Sequence, residues 1–164
     1  PLGSAARAVG PAGAGAPPPR HHLLMRREVG DGYEVDDDRS RIDLGVVYRY
    51  LAEEAYWVPG RSRETIERLI WESTHVIGAY LGDEQVGFAR VVTDGVSFAW
   101  LGDVFVLERH RGHGLGTELV REAVESPEHR DVYWYLNTRD AHRLYAKFGF
   151  EPAGPGTMVR PRAT

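Results

Sequence analysis

Val104-Phe105-Val106-Leu107-Glu108-Arg109-His110-Arg111-Gly112-His113-Gly114-Leu115-Gly116 is the stretch that decides the fold of this chain. An apolar, strand-like run enters a turn with three glycines at alternate positions. An amphipathic helix follows, with Leu115, Leu119, Val120, Ala123 and Val124 on one face. Glycine costs about 1 kcal/mol relative to alanine within a helix, so Gly114 and Gly116 at a helix start need a compensating reason. Without a Cβ, each lets a ligand approach the main chain closely. The first amides of the helix have no internal partner and lie at its positive end. Together these features suit a pyrophosphate. A phosphate loop of the Gly-Lys-Ser/Thr type fits less well, because Gly114-Leu115-Gly116-Thr117 has no lysine. A dinucleotide fingerprint needs another glycine spacing and a parallel βαβ unit. On glycine spacing alone, a purely structural turn stays open.

Upstream of the turn, three strand-like runs are separated by turn residues: His75–Leu81, Gln85–Val92 and Phe98–Leu107. Their short connections predict an antiparallel meander. Further upstream, Leu44, Val47, Tyr48, Leu51 and Ala55 recur at helical spacing behind Asp43 as N-cap. Ser62 caps a second helix with Ile66, Leu69 and Ile70 on one face, and Tyr33-Glu34-Val35 reads as a first strand. Downstream come a helix (Leu115–Val124), a strand (Val132–Asn137), a helix (Ala141–Phe148) and an extended piece around Thr157–Val159. The predicted order is β-α-α-β-β-β-α-β-α-β, an α/β (α+β) domain with a mixed, mostly antiparallel sheet flanked by helices.

Residues 1–28 read as a separate region. Pro1-Leu2-Gly3-Ser4 resembles the scar of a cleaved expression tag, and the Ala/Gly/Pro/Arg-rich stretch after it buries too little apolar surface to order itself. Residues 29–164 are expected to form the domain, with Met25 a candidate native start. The 164 residues suit one domain. With 42% hydrophobic residues, 27% charged and a formal charge of −4, the composition offers no basic field for nucleic acid and none for an anionic membrane. No cysteine is present, which excludes disulfides, thiolate metal sites and a cysteine nucleophile and fits a cytoplasmic location.

Arg111-Gly112-His113-Gly114-Leu115-Gly116 resembles the Arg/Gln-x-x-Gly-x-Gly/Ala signature of the GNAT superfamily of N-acetyltransferases. Asp140-Ala141-His142-Arg143-Leu144-Tyr145-Ala146-Lys147-Phe148-Gly149-Phe150 is similar to that superfamily's second motif, Ala-x-x-Leu-Tyr-x-x-x-Gly-Phe. The likeness runs from about Tyr33 to Val159. It is nearest to small bacterial members with Tyr-Trp in the first helical hairpin (Tyr56-Trp57) and a Gly-Phe-Ala-Arg strand (Gly87-Phe88-Ala89-Arg90).

The resemblance implies acetyl-CoA as cosubstrate, with its pyrophosphate on the main-chain amides of Arg111, Gly112, Gly114, Leu115, Gly116 and Thr117. It implies that the preceding strand, at Phe105, Val106 and Leu107, meets the pantetheine through its backbone. A backbone amide near Val106 is also placed to hydrogen-bond the thioester carbonyl. Tyr145 takes the position of the tyrosine that protonates the departing thiolate, although Ala141, Leu144, Tyr145 and Phe148 also form one core stripe. Gly149 suits a left-handed helix cap, with Phe150 packed back on the last turn.

An acceptor amine with a pKa near 10.4 holds its proton at pH 7, and reaching the free amine costs about 4.6 kcal/mol. A general base is therefore expected. Asp103, Glu54 and His142 are the candidates, in that order. Asp103 reads first as a buried, hydrogen-bonded acid fixing its strand, and His142 also as a residue lining the thiol site. Tyr56, Trp57 and Trp71 are expected to wall the acceptor side. His110 and His113, with no third ligand, predict no metal. The expected activity is acetyl transfer from acetyl-CoA to a small-molecule or protein amine by direct attack in a ternary complex. A non-catalytic acetyl-CoA sensor is the alternative, and a homodimer is possible by family habit.

Overall fold

A computed structural model describes residues 24–57 and 60–159. Six strands form one sheet in sequential order: β1 (Arg26–Gly30), β2 (Tyr33–Asp36), β3 (His75–Leu81), β4 (Glu84–Thr93), β5 (Phe98–Val106) and β6 (Tyr133–Tyr135). The first four pairings are antiparallel and β5–β6 is parallel. The helices are α1 (Leu44–Arg49), α2 (Arg63–Glu72), α3 (Leu115–Glu125) and α4 (His142–Ala146). The mixed, mostly antiparallel sheet flanked by helices is the expected fold class.

The cap residues act as their sequence positions imply. The Asp43 carboxylate accepts from the amides of Gly45 and Val46, and Ser62 accepts from Thr65. Strands β3 and β4 are buried almost end to end, as central strands with helices on both faces must be. On one face, Leu115, Leu119, Val120 and Ala123 of α3 pack on Ile77, Ala79 and Val86. On the other, Val47, Leu51, Ile66 and Ile70 pack on Val76, Phe88 and Phe105. Each such fully buried side chain contributes about 1.5–3 kcal/mol.

Two expectations are corrected here. Strand β1 crosses the boundary placed at residue 28, so Tyr33–Val35 is the second strand and not the first. β1 is an edge strand held partly by charge: Arg26 meets Glu34 at 2.8 Å and Arg27 meets Glu118 at 2.6 Å. Charged edge strands lack the alternation that marks half-buried ones, and Arg26-Arg27-Glu28 therefore reads as tail. The expected tail over residues 1–23 lies outside the described residues. The extended piece at Thr157–Val159 joins no strand among the described residues.

Candidate active site

The site opens where the sheet parts. β6 pairs only with Phe98, Ala99 and Trp100 of β5, so the rest of β5 has no strand on that side among the described residues. A bulge sits at this point: Phe88 faces Phe105, but Arg90 faces Gly102, leaving one extra residue in β5. Asp103 takes a left-handed φ of 52° there. Such an insertion raises local twist and ends pairing. The gap between β5 and α4 is a cavity of about 650 Å³.

The glycine turn forms one end of that cavity. Gly112 and Gly114 have φ of 89° and 79°, the region that favours glycine, and Gly114 is the N-cap of α3. Among the described residues, the amides of Gly112, His113, Gly114, Leu115 and Gly116 have no hydrogen-bond partner. A Cβ at Gly112 or Gly114 would meet no protein atom within 4 Å, and at Gly116 only Leu144, at 3.7 Å. Free amides around space that side chains would fill are what a pyrophosphate needs. The cosubstrate implied by the sequence therefore fits these residues.

The set of amides differs from the expected one. The Arg111 amide donates to Glu108 O at 3.1 Å and that of Thr117 to Gly114 O at 2.9 Å, so both are occupied. A 3-10 turn at Glu108–His110 takes the first, and the opening turn of α3 takes the second. His113 joins the free set instead. The Arg111 guanidinium folds back on the strand, donating to Val106 O at 3.1 Å and to the Tyr50 hydroxyl at 3.4 Å.

The strand before the turn also divides. Leu107 N donates to Val86 O at 2.8 Å, so strand alternation turns the main chain of Leu107 and Phe105 toward β4. Their expected backbone role is thus filled by the sheet. Val106 faces the cleft, and Val104 lines it as well. The Phe105 ring is buried instead, stacked on Tyr50 with centroids 3.9 Å apart. Tyr50 and Glu54 reach the cavity from a π-helical turn, Tyr50–Glu54, closed by Ala55 N to Tyr50 O at 3.0 Å. Tyr50 was not foreseen, because a widened turn has no signature in residue spacing.

Tyr145 borders this cavity and two others. Its helix ends at Gly149, with φ 79°, and Phe150 N bonds Tyr145 O at 3.3 Å. This is the left-handed cap expected of Gly149, and it brings the Phe150 ring to 5.9 Å from that of Tyr145. Burial pushes the Tyr145 phenol up to about 12. Among the described residues its hydroxyl has no hydrogen-bond partner.

The base candidates separate. Asp103 is 7% exposed, and three donors occupy its carboxylate: Arg90 Nε at 2.6 Å, Trp57 Nε1 at 3.0 Å and Arg61 Nη1 at 3.3 Å. Both oxygens are engaged and the residue is buried, so the geometry is that of an acid holding its strand. Asp103→Asn, which tolerates the left-handed backbone, is expected to cost about 2 kcal/mol by weakening a buried charged network. Chemical denaturation measures it, and unchanged stability would remove this role. Glu54 is exposed on the cavity wall, as a base requires. His142 does not line this cavity; it borders a separate one on the far side of Tyr145. Asp140 was not singled out, yet it stands in the wall beside Ala141.

A second cavity, about 280 Å³, adjoins the first along Tyr56, Trp57, Val104, Asp140, Ala141 and Tyr145. Of the three aromatics expected on the acceptor side, Tyr56 and Trp57 line these cavities. Trp71 does not: it lies 65% exposed at the end of α2, near Arg39. His110 is buried and bonded to Tyr33 at 2.9 Å, whereas His113 lies 3.3 Å from Asp31. Among the described residues no group of three or more His, Asp or Glu is arranged to hold a metal. No helix there is long and apolar enough to cross a membrane.

Comparison with other proteins agrees with this geometry. Residues 45–150 match the Acetyltransferase (GNAT) family. A crystal structure from Xanthomonas campestris pv. campestris, titled a "putative acetyltransferase belonging to the gnat family", is 34% identical. It superposes with a TM-score of 0.75 over 80% of this chain and 93% of that one. A GNAT family protein from Streptococcus pneumoniae shares the fold at 23% identity, with a TM-score of 0.59 over 79% and 99% of the two chains. A curated relative from Gibberella zeae, "Putative acetyltransferase FG08082", is 35% identical over 71 residues, 42% of this chain and 40% of the relative. With both motifs on the elements that shape the cleft, the chain belongs to the GNAT acetyltransferase family.

Proposed function

We propose that this chain transfers an acetyl group from acetyl-CoA to a primary amine by direct attack within a ternary complex. One observation carries the reading: Gly112, Gly114, Leu115 and Gly116 with their unpartnered amides, Val106 on the open edge of β5, and Tyr145 all line the same cavity. When bound, acetyl-CoA supplies an activated acetyl carbon and a thiolate leaving group. The amides of residues 112–116 hold its pyrophosphate, and Val106 meets the arm between pyrophosphate and thioester.

The acceptor nitrogen forms the new C–N bond as the C–S bond breaks, and the bonding pair leaves on sulfur. Tyr145 donates a hydrogen bond to that sulfur. With the phenol at about 12 and a thiol near 8.5, complete proton loss from Tyr145 is uphill by roughly 5 kcal/mol. Stabilisation by hydrogen bond, with the proton supplied from the acceptor side, is the lower route. Glu54 and Asp140, exposed carboxylates on the wall, take the ammonium proton directly or through water. Holding both reactants in one cleft replaces a collision with an oriented encounter.

Titration calorimetry with CoA tests the binding half, and free-thiol release from acetyl-CoA with a panel of amines tests the transfer. Micromolar binding with turnover is expected. Folded protein with no affinity for CoA or any acyl-CoA would end the proposal, and binding without turnover would turn it into a sensor.

A further inference from the structure

The charges around the two cavities are not evenly spread. Glu54 lines only the cavity that holds the glycine turn, and Asp140 lies where the two meet. The one arginine of the first cavity's wall, Arg111, is folded back on Val106 O and the Tyr50 hydroxyl, so carboxylates outnumber cations there. Arg61 and Arg90 line only the second cavity, deeper along β4 and β5. Both guanidiniums converge on one carboxylate, Asp103, at 3.3 Å and 2.6 Å. Arg90 has a 10% exposed side chain and Arg61 a 24% exposed one. Two cations share one anion in a half-closed space, although buried charges are ordinarily matched one to one. Asp103 bonds Arg90 through Nε and Arg61 through Nη1, which leaves the Nη2 groups of both without an acceptor among the described residues. The aromatic rings of Tyr56 and Trp57 stand between this positive end and the negative one.

We propose that the acceptor is a small zwitterionic amine, an amino acid or close analogue, whose carboxylate is held by Arg61 and Arg90. This rests on the acetyl-transfer reading and names the substrate class for the same cleft. The polarity carries it. An amine at the junction of the cavities lies beside Asp140, next to Tyr145 and Val104. A carboxylate a few bonds away then reaches the guanidiniums across the Trp57 ring. A guanidinium pairs with a carboxylate through parallel N–H bonds, which no neutral amide reproduces. At about 280 Å³ the second cavity is at the lower limit for small-molecule sites, and an amino acid suits it better than a protein surface.

The test compares acids with their carboxamides, which differ only in that charge. N-acetylglycine, N-acetylphenylalanine and N-acetyllysine, each with its carboxamide, are titrated into the free and the CoA-saturated chain. The free amino acids and their carboxamides are also assayed for thiol release. At least one acid is expected to bind about tenfold or more tightly than its amide, with the gap in KM when turnover is followed. Arg61→Gln should shrink the acid-to-amide ratio to near one, with thermal melting confirming that the variant is folded. Equal affinity for acid and amide across the set would overturn the proposal, as would a ratio unchanged in Arg61→Gln. CoA titration of the same sample keeps the two readings apart: CoA binding without acid preference sinks only this one.

Discussion

Gly116→Leu is expected to leave a folded protein, as stable as the parent or slightly more so, that has lost CoA. Gly116 is a helical residue of α3 without a left-handed φ, so any side chain is tolerated by the backbone there. Leucine removes a helix penalty of up to about 1 kcal/mol. A Cβ would meet only Leu144 Cδ2, at an ordinary 3.7 Å. Both residues line the cleft, and the rest of the leucine side chain extends past that contact into it. It would hold a pyrophosphate away from the amides of residues 112–116. Losing two charge-assisted hydrogen bonds, each worth about 1.5–3 kcal/mol, weakens binding by at least about 100-fold. Calorimetry reads the affinity, and thermal melting reads the fold. CoA affinity within about threefold of the parent would show that the turn does not hold the pyrophosphate. Gly114 is the poorer probe. Its φ of 79° strains any other residue by about 1–2 kcal/mol, which confounds backbone strain with the filling of the cradle.

Tyr145→Phe should lower kcat about 100-fold while leaving CoA affinity and neutral-pH stability unchanged. The ring keeps its contact with Phe150 at 5.9 Å, and only the unpartnered hydroxyl is removed. A donor aimed at developing charge in a dry cleft contributes on that scale. Stopped-flow or steady-state thiol release measures it. Unchanged turnover would return Tyr145 to a packing role.

The same substitution carries a signature in pH. Burial raises the Tyr145 phenol from about 10 in the unfolded chain to about 12. Between those values the unfolded state has lost a proton that the folded state keeps. Stability from this group is thus complete below pH 10 and is lost as pH rises toward 12. Two units correspond to roughly 3 kcal/mol. Tyr145→Phe should therefore unfold less steeply in alkali than the parent, by denaturant titration at pH 10–12. An identical alkaline profile would mean that the phenol is not buried.

Much of the fold was legible because local chemistry decides it. The start of α3 at Leu115, the whole of β3 at His75–Leu81, and the caps at Asp43 and Ser62 are as read from residue pattern and N-cap type. Strand β1 was not legible, since its arginines are satisfied by Glu34 and Glu118 and not by an apolar face. The bulge defeats alternation outright. Counted from Ala99 and Leu101, Asp103 belongs with the α3 face, yet the extra residue turns it toward Trp57, Arg61 and Arg90. His142 fails for a related reason. Helical spacing relates it to Tyr145 on one helix, but does not say which of the cavities around that helix it borders.

By itself, the sequence determined the class of fold, the family and the glycine turn. Periodicity, capping residues and glycine spacing are local properties that survive without knowledge of neighbours. Only the tertiary structure decided which amides of the turn stay free, which edge of β5 lies open, and that Asp103 is spent on two arginines. Hydrogen-bond partners far apart in the chain settle those matters. Trp57, Arg61 and Arg90 reach Asp103 across 46, 42 and 13 positions, and no spacing rule encodes that convergence.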